Sequence, residues 1–164
     1  MITKSAWVVG LVATVHPFDI KTALLAKHAQ HVVLIHFPIA LFITGVAFDL
    51  VAQWTRRLEL AHAAYLNLMV GAVSTLPVLA TGILAWQFQL EGQKLKGILL
   101  LHMLLAGAST VLIWLVWWLH LRRHRRGDML VGYGYLMSLE ILAVAVISLT
   151  GHLGGFLSGV NGAG

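Results

Sequence analysis

HAQHVVLIHFPIAL, residues 28 to 41, sets three histidines and a proline at the start of an apolar run that reaches about residue 53. From residue 31 onward that run has the ~20 residues a helix needs to cross a bilayer. Hydrocarbon is a poor solvent for imidazole, and ionisable groups at membrane depth are costly and concentrate at working sites. His28, His31 and His36 therefore need a chemical reason to be there.

Three further apolar runs follow, at about 62 to 89, 97 to 120 and 129 to 158, each long enough to cross. The linkers between the four runs, WTRRLEL, LEGQKLK and LRRHRRGD, are short. Short linkers make sequential helices antiparallel neighbours, so the expected fold is all-α: an integral membrane four-helix up-down-up-down bundle over residues 31–160. Composition agrees. Of the 164 residues 59% are hydrophobic and 10% charged, where a soluble domain carries roughly 25% charged residues, and the mean hydropathy is +0.87. The net charge of +5 sits in short patches between apolar runs, which is membrane topology and no signal for nucleic acid. The absence of cysteine excludes disulfides, cysteine-held iron–sulfur clusters and covalently attached c-type haem.

Residues 1–30 open with Lys4 and the apolar stretch AWVVGLVATV at 6 to 15, without a small-x-small cleavage pattern after it. Ten helical residues reach only ~15 Å, so the expectation is a short N-terminal interfacial helix or re-entrant segment. From Pro17 the amphipathic FDIKTALLAKHAQ is expected to lie at the surface.

The basic residues give the orientation. All six arginines (Arg56, Arg57, Arg122, Arg123, Arg125 and Arg126) fall at one end of the bundle, and all five lysines (Lys4, Lys21, Lys27, Lys94 and Lys96) at the other. Basic residues hugging helix ends mark the cytoplasmic side. This predicts a bacterial inner-membrane protein with both termini periplasmic, an inner aromatic belt of Trp54, Trp114, Trp117 and Trp118, and Trp86 in the outer belt.

With that topology the depth of each histidine can be read. His31 and His36 lie in the first turns of the first span, His102 is early in the third, and His152 is near the end of the fourth. Three of the four spans thus bring imidazole to the outer third of the membrane. The first and third spans are diagonal in a sequential bundle, so His36 and His102 could face one another as the two axial ligands of a b-type haem; neutral imidazole nitrogen binds iron well. His31 is about 140° round the helix from His36, which leaves His31 with His152 as a second pair, or His31 in an interfacial role. Gly151, Gly155 and Gly159 repeat every four residues beside His152, a flat strip for a porphyrin or plain small-residue helix packing. Pro38 frees the carbonyl of Leu34 and is expected to bend the first span beside His36. The alternative for each of these histidines is a hydrogen bond between helices and nothing more. His62, His120 and His124, at the arginine end, are expected to be solvated or snorkelling.

Among other polar residues, Glu140 lies near mid-membrane and is the costliest placement in the chain. It is read as a proton relay or quinone contact, or as a neutral acid bonded to Asn67 or Ser74. Asp49 is expected to pair with arginine at the inner boundary. Pro77 with Ser74, Thr75 and Thr81 is expected to make a packed kink.

HxxHxxxxHFPIAL at 28 to 41, TGILAW at 81 to 86, LLHMLLA at 100 to 106 and GHLGG at 151 to 155 resemble the membrane proteins grouped as domain of unknown function 2231. The likeness covers most of residues 28–160, and HFPIAL is its specific part. The chain departs from the family's HPxHP opening, with Ala29 and Val32 in place of the two prolines, and from its usual tail after GHLGG. The resemblance implies four helices in a membrane. Because some members stand beside or fused to Rieske-type redox proteins, it also implies electron transfer.

The sequence therefore leads first to a membrane electron-transfer subunit: a b-type cytochrome with one or two haem b groups near the periplasmic side, ligated by His36 and His102 and then by His31 and His152. It would belong to a larger redox or respiratory complex, in contact with the lipid bilayer, other subunits and a quinone. No nucleophile-and-base set or suitably spaced carboxylate pair marks an enzyme acting alone. The alternatives are a structural anchor subunit and a small proton-coupled transporter using Glu140 and the histidines.

Overall fold

The computed structural model describes residues 27–88, 94–132 and 134–158. Within them lie five helices and no strand: α1 (Lys27–Leu34), α2 (His36–Thr55), α3 (Leu58–Phe88), α4 (Gly97–Arg126) and α5 (Gly134–Leu157). The segment expected at the interface over residues 1–30 falls, up to residue 26, outside the described residues. α1 and α2 form one apolar span, Gln30–Thr55, with mean hydropathy 2.0. α3, α4 and α5 follow at 1.9, 2.2 and 1.8, so four helical segments are long and apolar enough to cross a membrane. The all-helical four-span architecture is as the hydropathy pattern demands.

Helix boundaries differ from the apolar runs for a physical reason. Leucine and arginine are good helix formers, and cations are favoured at a helix C-terminus. α4 accordingly continues through Arg122, Arg123, His124, Arg125 and Arg126, and stops only at Gly127, whose φ of 73° is left-handed and whose N–H caps the Arg123 and His124 carbonyls. LRRHRRGD is thus mostly helix. WTRRLEL contracts likewise to a turn at Arg56 and Arg57, with Arg56 itself left-handed at φ 58° and its guanidinium donating to the Leu130 carbonyl at 2.7 Å. The break between α1 and α2 is at Ile35, beside His36. Pro38 has no N–H to give the Leu34 carbonyl, and the next bond, from Ile39 N–H to the Ile35 carbonyl, is long at 3.4 Å.

α2 packs against α3 and α5, α4 against the same two, and α1 against α3. α2 and α4 are therefore the diagonal pair. Each of α2 to α5 sends two residues into one central cluster: Phe42 and Val46, Leu68 and Ala72, Ile113 and Val116, Ala143 and Ile147. Three of these pairs are four apart and one three apart, the spacing that stacks side chains on a single helix face. Val111, Leu104, Ile141 and Leu142 lie on the outside, where lipid is as apolar as they are. Cohesion then depends on close van der Waals packing. Gly45 gives the tightest approach, because a Cβ built there would lie 2.9 Å from Leu68 Cγ.

α3 runs unbroken through Pro77, with Ser74 and Thr75 hydroxyls donating to the Gly71 and Ala72 carbonyls and Thr81 to that of Pro77. The expected aromatic belt is only partly present. Trp54 and Trp118 are exposed, but Trp114 turns inward to donate its indole N–H to Thr75 Oγ1 at 3.0 Å, and the Trp117 indole nitrogen is buried.

Candidate functional site

Three polar residues sit at one depth from the arginine end. Asp49 is six residues before the end of α2 at Thr55, His120 six before the end of α4 at Arg126, and Glu140 six after the start of α5 at Gly134. Because α5 packs antiparallel against both α2 and α4, equal distance from the ends becomes juxtaposition. His120 Nε2 and Glu140 Oε1 are 2.6 Å apart. His120 Nδ1 lies 4.0 Å from Asp49 Oδ1, and Arg123 Nη1 lies 3.5 Å from Asp49 Oδ2. Exposure is 4% for Asp49, 3% for His120, 6% for Arg123 and 0% for Glu140.

The surroundings fix this geometry. Gln53, one turn after Asp49, donates to Asp49 Oδ1 at 3.3 Å and to the Met129 carbonyl at 3.0 Å. Arg123 donates through Nη2 to the carbonyls of Met129 and Val131. The α4–α5 turn is thereby tied to α2 through two side chains. A cavity of about 260 Å³ lined by Asp49, Gln53, Arg123, Gly132 and Gly134 reaches the cluster, ample for water. Glu140 Oε2 has no hydrogen-bond partner among the described residues.

These positions correct several expectations. His120 is buried, while His62 and His124 are exposed; their rings meet edge to face, and the Tyr65 ring stacks on that of His124 at 4.5 Å. Glu140 is paired with His120, since Asn67 and Ser74 both donate to backbone of their own helix. Asp49 does take an arginine, but it is Arg123 of α4, not the nearer Arg56 or Arg57. Glu140 lies six residues into its helix, about midway between the start of α5 and its centre, because α5 starts at Gly134 and not at residue 129.

The four histidines at the lysine end divide. His31 Nδ1 is 3.2 Å from Thr81 Oγ1, and its ring fills the space where Gly82 lacks a side chain. His102 does the same on the other helix pair. Its Nδ1–H donates to the Thr150 carbonyl at 3.2 Å, and its ring rests on Gly154, whose hypothetical Cβ would be 3.2 Å from Cε1. His36 and His152 are exposed, the latter edge-on to Phe156 at 5.0 Å. On α5 the small residue that receives a histidine is Gly154, one position from the Gly151–Gly155 strip. Gly159 and the His28 side chain fall outside the described residues. Among the described residues the one group of three metal-capable side chains with donors within 4.8 Å of one another is Asp49, His120 and Glu140.

Residues 27–164 match the family profile DUF2231, described as a predicted membrane protein. The chain belongs to this family. No curated protein matches it, and no solved structure does. This DUF2231 chain is thus a membrane protein in contact with a lipid bilayer, its α1–α5 bundle lying wholly inside the matched region.

Chemically, the inner cluster of the DUF2231 bundle is balanced around one proton. Asp49 and Arg123 offset one another. Glu140 and His120 share a proton that makes them either two neutral groups or an ion pair, and the net charge is the same both ways. Burial penalises net charge heavily, so a proton can pass between the two without that penalty. Imidazole is suited to such passage because it can take a proton at one nitrogen and release another at the second. Its second nitrogen points to Asp49 at 4.0 Å, beyond hydrogen-bond length, so one water or a small side-chain shift completes the chain. The sequence places His120 and Arg123 at the arginine end but reads neither as interior, and both are buried.

Proposed function

We propose that this DUF2231 protein is a small proton-handling membrane transporter, with Asp49, His120 and Glu140 as its proton path and Arg123 as the fixed charge paired with Asp49. The observation that carries this reading is the 2.6 Å contact between fully buried Glu140 and buried His120. Ionisable groups in a membrane bundle are costly and usually mark function, and a cavity large enough for water reaches Asp49, 4.0 Å from His120. The arginine end is taken as cytoplasmic, in a bacterial inner membrane, so protons enter the relay from the cytoplasm through the cavity beside Asp49. Infrared spectroscopy tests it. The reading requires a carboxyl band that shifts when the detergent-purified protein is moved into D₂O, changes with pH, and is missing from Glu140→Gln. A purely structural pair, sealed from water, would give a Glu140 band that neither exchanges nor titrates while the bundle stays folded.

The second reading is the cytochrome, and the His102 ring supports it. Donation of Nδ1–H to the Thr150 carbonyl fixes the tautomer and leaves Nε2 as the basic nitrogen, the arrangement by which backbone carbonyls orient metal-binding histidines. In that reading His102 with His36, and His31 with His152, hold haem b in a redox complex that exchanges electrons with a quinone. Purified protein that takes up haem with a reducible Soret band, lost in His102→Ala, would support it. Protein that stays colourless when haem is added would remove it.

A further inference from the structure

The last turn of α4 and the first turn of α5 enclose a second cavity, of about 150 Å³, lined by Leu119, Arg122, Arg123, Arg126, Asp128, Tyr135 and Leu136. Three features of it point to an anion. Arg122 and Arg126 are one turn apart on the same face of α4, with the Arg122 guanidinium held over the Trp118 ring at 3.6 Å. The opposite wall is the start of α5, a helix of 24 residues with no acidic residue in its first turn. The backbone N–H groups of such a turn lack intrahelical acceptors and, with the helix dipole, favour negative charge. Finally, Arg123 forms part of the wall with 6% exposure, and its Nε–H has no acceptor among the described residues although both terminal nitrogens are bonded. With Arg123 paired to Asp49, Asp128 offsets only one of the two remaining cationic charges, Arg122 and Arg126.

We infer that this cleft binds the phosphate of an anionic phospholipid. The lipid is favoured over a soluble phosphate by position. The cleft lies at the arginine boundary of the bundle, between exposed Trp118 and exposed Tyr135, aromatic residues of the kind that sit at the headgroup level. Basic pockets between helices at this level suit acidic headgroups. The guanidiniums would take the phosphate oxygens as planar donors, with α5 N–H groups completing the shell.

Native mass spectrometry of the detergent-purified full chain is the test, with phosphatidylglycerol, cardiolipin and phosphatidylcholine as probes. Retention of the two acidic lipids over phosphatidylcholine is expected, weakened about fivefold for each arginine removed in Arg122→Gln and Arg126→Gln, and largely kept in the lysine variants. Both positions are exposed, and unchanged helical content and melting would show that the variants fold. Equal retention of phosphatidylcholine, or undiminished acidic-lipid binding in the double glutamine variant, would overturn the proposal. So would displacement of the lipid by inorganic phosphate at equal concentration, which would make the site one for soluble phosphate.

Discussion

At the residue scale the decisive side chain is Arg123. It is buried, neutralises Asp49 and holds the carbonyls of Met129 and Val131, so it serves charge balance and the α4–α5 turn together. Removing it would leave a buried carboxylate uncompensated, a change that costs about 3–5 kcal/mol where one partner of a buried pair is lost. Arg123→Ala is therefore expected to lower the chemical-denaturation midpoint in mixed micelles strongly, and Arg123→Ala with Asp49→Asn to recover a large part of the loss. If the double variant were no more stable than the single one, the charge-balance account would be wrong. Arg123→Lys should remain destabilised, since an ammonium is a compact point charge and cannot reproduce the planar fork that reaches a carboxylate and two carbonyls.

Among the elements, the α2–α3 contact at Gly45 depends most on shape. A methyl group there meets Leu68 Cγ at 2.9 Å and the Leu68 backbone nitrogen at 3.2 Å, and the backbone cannot move aside cheaply. Gly45→Ala is expected to cost about 1–3 kcal/mol as overpacking, read from the same denaturation midpoint. Leu68→Ala opens a cavity, costing about 2–5 kcal/mol alone. Together the two should be less damaging than their sum, with a coupling of about 0.5–3 kcal/mol; strict additivity would mean that the helices do not touch there. The elements themselves were largely legible in the sequence. Hydropathy located all four spans, and Pro38 located the break beside His36, because both signals are local. The ends were not, since arginine-rich LRRHRR reads as a linker by hydropathy and as helix by propensity, and in the fold propensity prevailed as far as Gly127.

For the molecule as a whole, topology made part of the site readable. Counting depth along antiparallel helices correctly set His31 and His102 at one end of the bundle. It could not give their rotation about the helix axes, and rotation put His31 on Thr81 and Gly82, His102 on Thr150 and Gly154, and His36 and His152 on the outside. At the arginine end, abundant charge masked the signal. A histidine beside four arginines reads as solvated, yet His120 lies on the inward face of α4, three residues before Arg123 and four after Val116, both of them buried. The inner cluster follows only when the positions of Asp49, His120 and Glu140 are counted against the helix ends together.

The central claim is that protons pass through this cluster. Its most direct test is proton flux into liposomes containing the protein, followed by an internal pH dye under an imposed membrane potential. Wild-type protein should acidify or alkalinise the lumen according to the sign of the potential, and Glu140→Gln, which keeps a hydrogen-bonding group beside His120, should lose that flux while remaining folded. Flux in Glu140→Gln equal to wild type, or none from either protein above empty liposomes, would contradict it.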